Sequence, residues 1–107
     1  FTYSKREGTK AASLANQVSS KIKKERSQQL HALAKSMRQI CLQDQLNKSH
    51  SVLWETCNEN NAWTGYTDNF IRVEMEATEN LNLENKISKV KVSDIATDAS
   101  HCIAELL

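Results

Sequence analysis

Ser51-Val52-Leu53-Trp54-Glu55-Thr56 is the stretch at which the chain changes rhythm. Upstream of it apolar residues recur every three or four positions; from here on they recur every second position, in branched and aromatic types that suit a β-strand. The polar run Asn58-Glu59-Asn60-Asn61 that follows reads as a turn. Further strands are expected over residues 62–66, 69–75, 86–92 and 102–106. Five short strands in about 60 residues predict a small closed barrel rather than a sandwich. In the third, Phe70, Arg72, Glu74 and Glu76 alternate with Ile71, Val73 and Met75; in the fourth, Lys86, Ser88, Lys89 and Lys91 mix with Ile87, Val90 and Val92. One face is thus core and the other wet. Gly65, between Trp63 and Tyr66 on a strand that must curve tightly, marks a bulge or a close backbone approach.

Residues 19–46 contain neither Gly nor Pro, and Ile22, Leu30, Leu33, Ala34, Met37, Ile40 and Cys41 fall at helical spacing. This is one amphipathic helix, capped at its start by Ser19 or Ser20 without a Glu or Gln to complete a capping box. At 1.5 Å per residue it would run about 42 Å. A rod of that length exceeds a domain this small and is expected to pack on a larger neighbour. The fold class is therefore α+β: an N-terminal loop and one long amphipathic helix over residues 1–46, then a small five-stranded antiparallel β-barrel over residues 47–107.

With 107 residues, 39% hydrophobic and 25% charged, the chain has the composition of one modest globular domain and can bury one core. Its net charge of +1 hides an asymmetry. Residues 1–47 carry nine Lys and Arg against three acids, a balance of +6, whereas residues 48–107 carry five against ten, a balance of −5. No apolar run approaches the roughly 18 to 20 residues of a membrane-spanning helix, and no signal pattern opens the chain, so a cytoplasmic location is expected. The chain opens at Phe1 within what reads as a strand leaving into a loop, as an excerpt of a longer protein would. Cys41, Cys57 and Cys102 are widely separated and read as buried small hydrophobes; His31, His50 and His101 share no metal-ligand spacing and read as surface or packing residues.

Three motifs in order carry a family resemblance. Tyr3-Ser4-Lys5-Arg6-Glu7-Gly8-Thr9-Lys10-Ala11-Ala12 resembles a segment near the end of the catalytic domain in radical SAM methylthiotransferases. Lys23-Lys24-Glu25-Arg26-Ser27, followed by Leu30 and Leu33, resembles the helix leading from that domain into an appended TRAM module, a small OB-like barrel. Gly65-Tyr66-Thr67-Asp68-Asn69-Phe70-Ile71-Arg72-Val73 resembles the module's own signature. The Arg6-Glu7 pair and the Gly65-Tyr66-Thr67-Asp68-Asn69 run look most like the branch acting on threonylcarbamoyladenosine, since the isopentenyladenosine branch usually has Pro after the Arg and the ribosomal-protein branch a different acidic pair there. Asn47-Lys48 departs from the pattern, standing where the family usually has a Gly ahead of the first strand.

The resemblance implies a tRNA-binding C-terminal part of an enzyme that methylthiolates adenine C2 beside the anticodon. Two [4Fe-4S] clusters and S-adenosylmethionine would serve the parent. The radical cluster needs C-x-x-x-C-x-x-C, three thiolates that leave one iron open for the cofactor. This chain has no such string, so it is expected to hold no catalytic residue and no metal ligand, and to bind no cofactor by itself. Expected partners are the tRNA anticodon region and the N-terminal catalytic domains of the same chain, with no membrane and no DNA.

Small barrels hold RNA by stacking unpaired bases on aromatics and by setting cations against phosphate. The candidates are Tyr66, Arg72, Lys86, Lys89 and Lys91, with Trp63 and Phe70 weighed as core residues first. Lys23, Lys24 and Arg26, near Lys21, extend the basic track or are ordinary solvated charges. Arg6 and Thr9 would line the cofactor or substrate region of the parent or else fix their loop, in which Gly8 permits a turn. Against an RNA role stands the −5 of the barrel half, because phosphate neutralisation dominates affinity. The competing readings are a stand-alone RNA-binding module without catalysis and a structural interaction domain.

Overall fold

The computed structural model describes residues 1–79 and 81–107, and they form two compact units, Phe1–Met37 and Arg38–Leu107. In the first, Gly8 turns the chain at φ +77° into a single helical turn, α1 (Lys10–Ser13), where a plain loop was expected. Thr9 caps it: its hydroxyl accepts from Ala12 N at 3.3 Å and donates to the Arg6 carbonyl at 2.7 Å. The long helix α2 runs Ser20–Gln43, three residues shorter at its end than its pattern predicts. Ser19 is the capping residue, its hydroxyl accepting from Ile22 N at 3.4 Å and its carbonyl from Lys23 N at 3.0 Å. Of the helix, only Leu42 is buried. Ile22, Leu30, Leu33, Met37 and Ile40 are exposed.

In the second unit five strands close a barrel: β1 (Ser49–Cys57), β2 (Ala62–Thr67), β3 (Arg72–Glu76), β4 (Ile87–Ile95) and β5 (Cys102–Leu106), in the ring order β1-β2-β3-β5-β4. Four joints are antiparallel, but β3 and β5 run parallel, with Val73 opposite Cys102 and Glu74 opposite Ile103. The expectation of a wholly antiparallel barrel is thus corrected, and the reason is parity. A ring with an odd number of strands cannot reverse direction at every joint, so closure itself demands a parallel pair.

Val52, Trp54, Val73, Val90, Val92 and Cys102 are fully buried and fill the interior together with Trp63, Ile71, Met75, Leu83, Ala104 and the Leu42 side chain. Pleating accounts for the pairs Val52/Trp54, Val73/Met75, Val90/Val92 and Cys102/Ala104, each two residues apart on its strand, while Leu42 comes from α2 and Ile71 and Leu83 from connecting segments. Opposite Gly65, β1 carries a bulge between Trp54 and Thr56. A methyl group on Gly65 would stand 2.9 Å from Val52 Cγ1 and closer still to the Leu53 carbonyl oxygen. Both reasons anticipated for that glycine apply.

With two glycines and no proline in the chain, left-handed backbone falls to other residues. Among the described residues, Asn16, Asn47, Asn61 and Asn85 supply four of the six non-glycine positions with positive φ, as Asn tolerates that region best. Asn47, at φ +64°, therefore holds the turn for which the family resemblance leads one to expect Gly, and its N–H donates to Val92 O at 2.9 Å. Ala99 is buried in the core. Phe70, at φ +62°, is the exception: a bulky, exposed side chain on a strained backbone.

Cys102 is buried as expected, but Cys41 and Cys57 are exposed, which corrects the reading of all three as core. Cys41 lies outside the short arc of α2 that reaches Leu42, and Cys57 is the last residue of β1 and exposed there, although it stands opposite Trp63.

Candidate nucleic-acid interface

The outward face of the barrel is built by register. Ile87 in β4 stands opposite Leu53 in β1, Leu53 opposite Tyr66 in β2, and Tyr66 opposite Arg72 in β3. The row crosses four strands. Ile87 and Leu53 are exposed, and Tyr66 is 40% exposed. One step along, Lys89 faces Ser51, and Lys91 faces Ser49 on β1 and Glu105 on β5. Lys86 lies just before β4, its carbonyl accepting from Trp54 N at 3.0 Å and its side chain exposed.

Between these elements lies a groove of about 470 Å³, floored by Leu53, Tyr66, Phe70 and Ile87 and edged by Ser51, Glu55, Thr67 and Asp68. Phe70 reaches it from the turn between β2 and β3, where it is 86% exposed. Three hydrogen bonds fix that turn: Thr67 N to Ile71 O at 2.9 Å, Phe70 N to Thr67 O at 3.0 Å, and Ile71 N to the Thr67 hydroxyl at 2.9 Å. The same hydroxyl also bonds the Asn69 side chain.

The candidates fare differently. Tyr66, Lys89 and Lys91 are exposed on this side of the barrel, and Lys86 is exposed just before β4. Arg72 is drawn toward Glu74, Nη2 to Oε1 at 3.4 Å, with its side chain half exposed. Such a surface pair holds its cation only weakly, by roughly 0–1 kcal/mol. The other Glu74 oxygen meets His101 Nε2 at 3.2 Å, and His101 Nδ1 lies 2.7 Å from the Ser100 hydroxyl. Asp98 ends the chain of contacts: hydrogen bonds from the Ser100 hydroxyl and backbone hold its carboxyl below the usual carboxylate range.

Trp63 is core, as weighed, but Phe70 is not, and Ile87, paired by pattern with the buried valines, points outward. Counting by twos would have found it: Ile87 is in phase with Lys89 and Lys91, and Leu53 lies between two buried residues. For Phe70 the alternation with Arg72, Glu74 and Glu76 points outward and is outweighed in the sequence by its aromatic character, although the strand itself starts only at Arg72.

In the other unit, Lys23 is engaged locally. Its Nζ sits 5.2 Å from the centroid of the Tyr3 ring and donates to the Tyr3 carbonyl at 3.2 Å. Lys24 and Arg26 are exposed. Arg6 and Thr9 are tied to each other in the cap of α1. Among the described residues no group of three His, Cys, Asp or Glu side chains converges to hold a metal ion, and no helix is long and apolar enough to cross a membrane.

A closed five-stranded barrel with an aromatic and basic outer face is consistent with an OB-like domain. By sequence the chain is a homologue of the C-terminal part of the tRNA methylthiotransferases. In an alignment of 105 positions that covers 86% of its own length, it is 36% identical to threonylcarbamoyladenosine tRNA methylthiotransferase of Bacillus subtilis. To tRNA-2-methylthio-N(6)-dimethylallyladenosine synthase of Campylobacter jejuni it is 36% identical over 94 residues, 88% of its length. It spans 21% of each of these relatives. No family model matches the chain.

Proposed function

We propose that the chain is the tRNA-binding part of a radical SAM methylthiotransferase acting on threonylcarbamoyladenosine beside the anticodon, in the cytoplasm. In this reading residues 1–46 close the catalytic domain and residues 47–107 are its TRAM barrel. The carrying observation is the outward row Ile87–Leu53–Tyr66–Arg72 with Lys86, Lys89 and Lys91 beside it, on a chain whose relatives are named for tRNA chemistry. The Arg6-Glu7 pair supports the threonylcarbamoyl branch.

The residues present do not fit an iron–sulfur cluster. Cys41 and Cys57 are exposed and Cys102 is buried, its thiol pushed up by desolvation, and the three form no joint donor set. Cluster, S-adenosylmethionine and chemistry are therefore assigned to the rest of the parent. This chain's part is to bind and orient: lysines along β4 set against phosphate, aromatics set against unpaired bases.

Fluorescence anisotropy with a tRNA anticodon stem-loop tests this. Four phosphate contacts from Arg72, Lys86, Lys89 and Lys91 would weaken binding roughly fifty-fold between about 50 and 200 mM salt. The acidic balance of residues 48–107 favours a second reading, an interaction domain indifferent to RNA. Absence of binding at the lower salt would establish that reading instead.

A further inference from the structure

Phe70 is doubly unfavourable where it stands. Its backbone lies at φ +62°, a region that disfavours a bulky side chain and that Asn or Gly would occupy more easily. Its ring is 86% exposed, so no burial offsets the strain. Nor is the turn slack, because Thr67 bonds both Phe70 and Ile71 and holds the ring over the groove shared with Leu53, Tyr66 and Ile87. Strain maintained in this way at an exposed aromatic is a mark of a contact surface.

The charges around the groove decide what it takes. Lys89 on β4 faces Ser51, while Asp68 follows the Thr67 that faces Val52, so the cation and the carboxylate flank β1 from opposite sides. Glu55, unpaired in the β1 bulge, adds a second carboxylate to the rim. A ligand seated here needs an apolar face for the rings, an anion toward Lys89 and a hydrogen-bond donor toward the acids. A nucleotide has all three. A bare phosphate is repelled by the acids, and an apolar peptide offers nothing to the lysine.

We infer that this groove is a stacking site for one unpaired nucleobase of single-stranded RNA, with Phe70 as its principal platform, the phosphate toward Lys89 and an exocyclic amine toward Asp68 and Glu55. The inference deepens the proposed RNA role and rests on it for the ligand class, but it makes a separate demand on one side chain. Base-on-aromatic stacking removed by substitution is worth about five- to a hundredfold in affinity.

The test uses the full 107-residue chain with single-stranded hexanucleotides of cytidine and of uridine, in parallel with the anticodon stem-loop. Phe70→Gly should unfold at the same temperature as the parent chain or a few degrees higher, because it relieves the strain, yet bind hexacytidine about tenfold more weakly. Phe70→Tyr should keep the affinity. Cytidine should bind several-fold better than uridine, since uracil turns a carbonyl toward the acids where cytosine turns an amine. If the parent chain ignores both hexanucleotides, or Phe70→Gly binds as well as the parent, the groove assignment is overturned even where the stem-loop still binds through the lysines. Hexanucleotide binding lost in Phe70→Gly, with no affinity for the stem-loop, supports the groove and removes the tRNA reading. Equal affinity for the two pyrimidines overturns the placement of the amine.

Discussion

The two units use the same kinds of apolar residue to opposite ends. In Arg38–Leu107, Val52, Trp54, Val73, Val90 and Val92 are sealed inside a ring that closes on itself; in Phe1–Met37, Ile22, Leu30 and Leu33 are between 42% and 66% exposed. Burial of a Val, Leu or Ile side chain is worth about 1.5–3 kcal/mol, and the second group does not collect it. The barrel therefore has its own reason to be folded, whereas the helical unit carries a stripe that only a further surface could dry.

The largest effect that could break this contrast is a pair of truncations. Trp54→Ala should destabilise the barrel by about 3–5 kcal/mol, leaving a cavity where an indole was fully enclosed. Leu33→Ala, at a 56% exposed position, should change stability by no more than about 0.5 kcal/mol. Urea unfolding followed by the fluorescence of Trp63 measures both. Comparable losses would mean that Leu33 is sealed in solution, and the contrast would fall.

The two glycines sharpen it at smaller scale, one per unit. Gly65 is required for space: an added methyl meets the Leu53 backbone and Val52 Cγ1, so Gly65→Ala should cost about 1–3 kcal/mol and lower the barrel's unfolding midpoint. Gly8 is required for its backbone angle, with nothing within 4 Å of an added methyl. Gly8→Ala should cost about 1 kcal/mol locally, visible as lost helical signal at α1, while the barrel's midpoint stays put.

What the sequence made legible follows the same division. Periodicity located all five strands and the helix within a few residues, because pleat and helical repeat are local properties. The parallel β3–β5 joint was missed, although parity in a closed ring of five strands requires one. The Thr67–Phe70 turn was not: its geometry comes from a threonine hydroxyl bonding four residues ahead, which no repeat announces. The outward row Ile87–Leu53–Tyr66–Arg72 depends on register between strands far apart in the chain, so Tyr66 and Arg72 could be named singly but the row could not be assembled. Cys41 was misread because a helical stripe marks a face without showing what covers it.

The smallest expected effect lies at the turn before β5, where the barrel's shortest joint is approached. Asp98 accepts from the Ser100 hydroxyl at 2.6 Å and from its N–H at 3.1 Å, and these bonds lower its carboxyl below the ordinary 3.8. The folded state thus favours the ionised form, so its stabilisation is complete above the unfolded value and is lost as pH falls through the lower, folded one. Stability measured by urea unfolding should hold level down to about pH 4 on this account and decline below it. Asp98→Asn should flatten part of that acid limb and leave stability at neutral pH little changed, since the side chain is exposed. An acid limb identical in the two proteins would show that the Asp98 carboxylate contributes nothing to the stability of the turn before β5.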